Sequence, residues 1–170
     1  YADEAGLSPS FTVYDDNDSA LLITKAVPAM KKRDASIAAH KIALAKDYCL
    51  SPDDDLSEIG VREEFPETYR AYQNRLRSTG NADFGDLIML PVRIMEQNPH
   101  IRAQMHRRFR VIMVDEYQDS NIAQFKLLQM LAGLDEGSGT YVCVVGDDDQ
   151  SIYRFRGAEV QNILNFANVF

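Results

Sequence analysis

Two stretches decide how this chain folds: VIMVDEYQDS at residues 111–120 and YVCVVGDDDQ at residues 141–150. In each, a short apolar run stops abruptly at an acidic cluster. Apolar runs of this length bounded by turn signals read as strands buried on both faces, as in a parallel sheet covered by helices. Between them, Phe125, Leu128 and Leu131 recur at helical spacing, with Ser120 as the expected N-cap and Gly133 as the stop. Strand, helix, strand with both strands apolar predicts an α/β fold. Ligands of such sheets sit beyond the carboxyl ends of the strands, and both acidic clusters fall there.

The first cluster is Asp115-Glu116-Tyr117-Gln118-Asp119. Adjacent carboxylates at a strand end can divide labour: one holds a hydrated magnesium ion and the other accepts a proton from an attacking water. Magnesium keeps several waters, so one or two carboxylates suffice when a nucleotide supplies phosphate oxygens. The alternative is an acidic helix start favoured by the helix dipole. The second cluster, Gly146-Asp147-Asp148-Asp149-Gln150, runs into Tyr153, Arg154, Phe155 and Arg156. A neutral Gln at such a turn can hydrogen-bond a phosphate oxygen or a water. Aromatic rings interleaved with guanidinium groups suit the bases and phosphates of a single strand. Taken alone, the segment fits slightly better as an amphipathic strand or loop whose rings are core and whose arginines are solvated.

Residues 1–80 read differently, as helical and irregular. Apolar spacing predicts helices over residues 16–30, closed near Pro28, over 35–50, and over 64–77. The second carries a stripe of Ile37, Ala38, Ile42, Ala45 and Tyr48. In the third, Tyr69 and Tyr72 are read as core in preference to a base-stacking surface. Further on, residues 84–96 form a helix interrupted by Pro91, a basic helix ends at Arg108, and a last helix is expected over 158–169.

Composition narrows the function classes. With 45% hydrophobic and 26% charged residues the chain is of ordinary globular make-up. No apolar run approaches the roughly 20 residues of a membrane span. A net charge of −8 argues against a simple electrostatic DNA-binding module, which would normally show a basic face. Any contact with nucleic acid must therefore come from local groups. Cys49 and Cys143 stand apart, which argues against zinc or disulfides and makes a reducing cytoplasm the expected compartment. His40, His100 and His106 lack ligand spacing and read as surface or packing residues.

Taken together, VDEYQDS at 114–120 and VGDDDQSIYRFRGA at 145–158 resemble motifs II and III of superfamily-one DNA helicases of the UvrD/Rep/PcrA type. NADFGDLI at 81–88 resembles that family's DFDDL segment, where the chain returns from a helical insertion, and FTVYDDND at 11–18 resembles a stretch early in the insertion. The resemblance implies a helical accessory domain over residues 1–80, followed over 81–170 by part of a RecA-like P-loop NTPase motor domain. It implies ATP and Mg2+ as cofactors, with Asp115 on the metal, Glu116 activating the hydrolytic water, and Gln150 sensing the γ-phosphate. Tyr153, Phe155 and Arg156 would face single-stranded DNA, at or near a duplex junction. Gln118 and Asp119 would organise the motif by hydrogen bonds. Two positions depart from the family pattern: Phe155 stands where Trp is usual, and Gly85 replaces the middle Asp of DFDDL.

The 170 residues contain no GxxxxGK run followed by Ser or Thr, the loop that grips phosphates, and the chain opens on Tyr1. The expectation is an internal segment of a 3′-to-5′ helicase, inactive alone. Its working partners would be the rest of that chain, namely the phosphate-loop segment and the second motor domain. The helicase part of a helicase–nuclease subunit and a non-catalytic DNA-binding remnant are the other readings.

Overall fold

The computed structural model describes residues 1–133, 137–147 and 166. The chain divides into two compact units, Tyr1–Leu90 and Pro91–Phe170.

The first unit is three helices and a minimal parallel pair of strands: β1 (Val13–Tyr14), α1 (Asp16–Ala26), α2 (Lys32–Asp47), α3 (Phe65–Ser78) and β2 (Ala82–Asp83). Asp15 starts α1 through a capping box, accepting from the Asp18 amide at 2.8 Å while the Asp18 carboxylate reaches back to its own N–H. The helix ends at Ala26, two residues before Pro28, whose ring disfavours helix in the residue before it. Ile23, Ala35, Ile42, Ala45 and Leu76 are buried in the shared core, with the rings of Tyr69 and Tyr72. Both tyrosines are 1% exposed, which settles them as core. Their hydroxyls are paired: Tyr69 donates to Leu50 O at 3.0 Å, and Tyr72 lies 2.8 Å from Asp83 Oδ2 and 2.9 Å from Ser19 Oγ. Ile37, by contrast, is exposed and lies off the buried stripe of α2.

At the end of β2 sits a buried ionic cluster. Lys46 Nζ, on α2, lies 2.6 Å from Asp83 Oδ2 and 2.7 Å from Asp86 Oδ1. The two aspartates also bond each other's backbone, Asp86 N–H donating to Asp83 Oδ1 at 2.9 Å. Burial pushes the Asp86 carboxyl above its ordinary value, while the Lys46 charge works in the opposite direction. Gly85 lies under the Lys46 stem: a Cβ built there would stand 2.6 Å from Lys46 Cβ. The departure from the DFDDL pattern thus has a steric reason, since Lys46 occupies the space of any side chain at 85.

Helix α4 (Asp86–Gln97) tolerates Pro91 within it. The second unit continues with α5 (Pro99–Arg108), β3 (Val111–Val114), α6 (Ile122–Ala132) and β4 (Tyr141–Val144). Strands β3 and β4 are parallel, in register from Val111↔Tyr141 to Val114↔Val144, with α6 as the crossover. The mixed α/β class expected from the sequence is present, in short parallel sheets.

Two details differ from expectation. The N-cap of α6 is Asn121, not Ser120: Asn121 Oδ1 accepts from Gln124 N–H and Gln124 Oε1 accepts from Asn121 N–H, each at 2.9 Å. Position 121 wins because Gln lies three residues on, whereas Ser120 has Ala123 there and cannot close the reciprocal pair. The strands are also not covered on both faces among the described residues. The pleat puts Val111 and Met113 on one side, 59% and 74% exposed, while Ile112 and Val114 on the other are half-buried. At the far end of α6, Gly133 adopts the left-handed conformation that closes the helix, and the His106 ring lies where its Cβ would be. His106 Nε2 sits 2.8 Å from Met130 O, which makes it a packing residue that satisfies a helix-end carbonyl.

Candidate active site

The site is built where β3 ends. The main chain passes from Val114 into Asp115 and Glu116, both exposed, then into a single 3-10 turn, Tyr117–Asp119. Glu116 has left-handed backbone, φ 50° and ψ 41°. For a residue with a Cβ this costs roughly 1–2 kcal/mol, which the surroundings must repay. They do so at several points. Glu116 N–H donates to Asp115 Oδ1 at 2.9 Å. Tyr117 N–H donates to Val145 O at 2.9 Å, and Val145 N–H to Val114 O at 2.8 Å, extending the β3–β4 pairing past the strand ends. The Tyr117 ring is buried, edge-on to Phe166 with centroids 5.7 Å apart. Burial pushes its phenol up to about 12, so it remains neutral.

Gln118 joins the two strand ends. It is 2% exposed, its Nε2 donates to Glu116 Oε2 at 2.6 Å, and its Oε1 accepts from Asp147 N–H at 3.1 Å. Only one orientation of the amide makes both bonds, because a carboxylate can only accept and a backbone N–H can only donate. The glutamate side chain therefore has a defined direction despite its exposure.

A cleft of about 330 Å³ opens beside these groups, lined by Asp115, Glu116 and Asp119 and by Ser120, Gln124 and Leu128. The last three follow one another at intervals of four along α6 and its approach. That spacing was available in the sequence as a signal, but no motif drew attention to Gln124 or Leu128. Asp119 Oδ1 and the Tyr117 hydroxyl are buried without a partner among the described residues. Also among the described residues, no three His, Cys, Asp or Glu side chains gather as a metal cage. The donors present, two exposed carboxylates with hard oxygens, fit a magnesium ion that keeps its waters and takes its other ligands from phosphate.

Of the site residues expected from the sequence, Asp115 and Glu116 are brought together at one strand end. Gln150, Tyr153, Phe155 and Arg156 lie outside the described residues, as does the helix expected over 158–169 apart from Phe166, which is helical.

Comparison with known proteins bears on the whole chain. The family described as "UvrD/REP helicase N-terminal domain" matches residues 1–170. The chain is 38% identical to the ATP-dependent DNA helicase UvrD1 of Mycobacterium bovis over 175 aligned residues, covering 95% of this chain and 22% of that protein. It is 34% identical to the ATP-dependent DNA helicase PcrA of Bacillus subtilis over 170 residues, covering 96% and 22%. It is 32% identical to the ATP-dependent DNA helicase Rep of Escherichia coli over 170 residues, covering 97% and 25%. The chain thus spans between about a fifth and a quarter of the length of these curated relatives.

Proposed function

The chain belongs to the UvrD/REP helicase N-terminal domain family, and from that premise we propose that it is part of an ATP-dependent DNA helicase in which Asp115 and Glu116 serve ATP hydrolysis. One observation carries this reading. Two exposed carboxylates stand beside a cleft at the end of a parallel strand, and the second is aimed by left-handed backbone and a buried amide. A carboxylate that only began a helix would need no such aiming.

In this reading Asp115 holds magnesium, and the ion, when bound with nucleotide, supplies positive charge against the phosphate oxygens. The Glu116 carboxylate accepts a proton from the water that attacks the terminal phosphate. Gln150 responds to the terminal phosphate, and Tyr153, Phe155 and Arg156 contact single-stranded DNA by stacking and charge. Residues 81–170 are part of a RecA-like motor and residues 1–80 an accessory helical domain, with 3′-to-5′ movement near duplex junctions. The ionic cluster of Lys46, Asp83 and Asp86 ties the DFGDL segment to α2.

Phosphoryl transfer depends on positioning and charge stabilisation, and the 170 residues hold no phosphate-gripping loop. The isolated chain is therefore expected to show no DNA-stimulated ATP turnover; robust turnover would overturn this. The decisive experiment uses the full-length protein. Glu116→Gln should lower kcat by roughly 10²–10⁴-fold while leaving binding of magnesium and a fluorescent ATP analogue nearly intact, because only the proton acceptor is lost. Undiminished turnover removes the assignment.

A further inference from the structure

The hydrogen bonds of Gln118 connect two parts of the site that are 31 residues apart in sequence, Glu116 and Asp147. An amide that only filled space at this depth would need any two partners. This one spends its donor on the carboxylate oxygen of Glu116 and its acceptor on the first backbone N–H beyond Gly146. Asp147 opens the segment that leads through Gln150 to Tyr153 and Arg156.

We propose that Gln118 is a positioning residue that aligns the Glu116 carboxylate for proton transfer only when the chain leaving β4 is seated against it. This rests on the reading of Glu116 as the proton acceptor. The amide touches neither water nor phosphate in this scheme and acts through Glu116. Its N–H fixes one carboxylate oxygen of Glu116 in place. Its carbonyl makes that alignment depend on the position of Asp147. Displacement of the 145–147 backbone would loosen Gln118 and with it the base. The geometry provides a direct mechanical route from the second strand end to the hydrolytic group, separate from any contact Gln150 makes.

Two substitutions in the full-length protein separate this role from simple stapling of the strands. Gln118→Glu keeps an acceptor for the Asp147 amide but loses the donor to Glu116 and sets a second carboxyl group beside it. Gln118→Leu keeps the bulk and loses both bonds. Each should lower kcat about tenfold or more, as part of the roughly 10²–10⁴-fold that a general base supplies, with KM for ATP within about twofold of wild type. Thermal unfolding of each variant reports on the fold, and if Gln118→Glu does not fold, Gln118→Leu carries the test. A folded variant with wild-type kcat overturns the proposal. Failure of both variants to fold overturns it too, since Gln118 would then be a structural staple. Turnover that survives Glu116→Gln removes the base itself, whereas an inactive Glu116→Gln beside an unaffected Gln118→Glu leaves the base standing and removes only the positioning role.

Discussion

The carboxylate pair at the end of β2 and the pair at the end of β3 have opposite surroundings. Asp83 and Asp86, at the end of β2, are buried and share a buried ammonium group, with Lys46 Nζ within 2.7 Å of both. Asp115 and Glu116, at the end of β3, are exposed beside a cleft, and no Lys or Arg ion pair holds them among the described residues. A buried pair with its counter-charge built in has no capacity left for a cation or a proton in transit. An exposed pair whose second member is directed by an amide retains both. The contrast distinguishes acids that hold the fold from acids that can work, and it is drawn by burial and counter-charge alone.

The sharpest way to break this comparison is to remove the counter-charge from the first pair. Lys46→Met leaves two buried carboxylates uncompensated and should destabilise the chain by about 3–5 kcal/mol in urea unfolding. A loss under about 1 kcal/mol would mean the aspartates find water or another partner. A smaller effect is expected next door. Gly85→Ala drives a methyl group into the Lys46 stem, and overpacking of this kind costs about 1–3 kcal/mol. The smallest belongs to the second pair. Glu116→Gln, expected to cripple turnover under the proposed role, should change unfolding free energy by no more than about 0.5 kcal/mol, as exposed substitutions usually do. If it destabilised the chain as much as Lys46→Met, the division between the two pairs would fail.

Among the described residues the helices and strands are largely legible in the sequence, because their signals are local. Apolar runs ending in acids marked β3 and β4, and apolar spacing marked the helices to within a few residues. Ser120 has the side chain of an N-cap, but the partner three positions ahead belongs to Asn121 and not to Ser120, so the cap falls one residue later than Ser120 alone suggests. The strands were expected to be covered on both faces because an apolar run states a need for cover without naming what supplies it. Asp115 and Glu116 could be found as a site because they are adjacent. Lys46 could not be tied to Asp83 and Asp86, its partners being 37 and 40 residues distant, and a lysine beside Ala45 on an amphipathic helix reads as an ordinary solvated charge. Gln118 was legible only as a general organiser of its motif; its two partners became visible once β3 and β4 were paired. Gln150, Tyr153, Phe155 and Arg156 lie outside the described residues and still rest on the sequence.

The left-handed backbone at Glu116 has a consequence for how such a sequence can drift. Conformational preference at that position favours glycine, which would relieve the strain at no steric cost, while the proposed chemistry requires a carboxylate. A Glu116→Gly replacement would relieve the backbone there while forfeiting both the carboxylate of the proposed turnover and the acceptor of the buried Gln118 amide. Under the proposed mechanism, use of the carboxylate is what keeps the conformationally less comfortable residue in place.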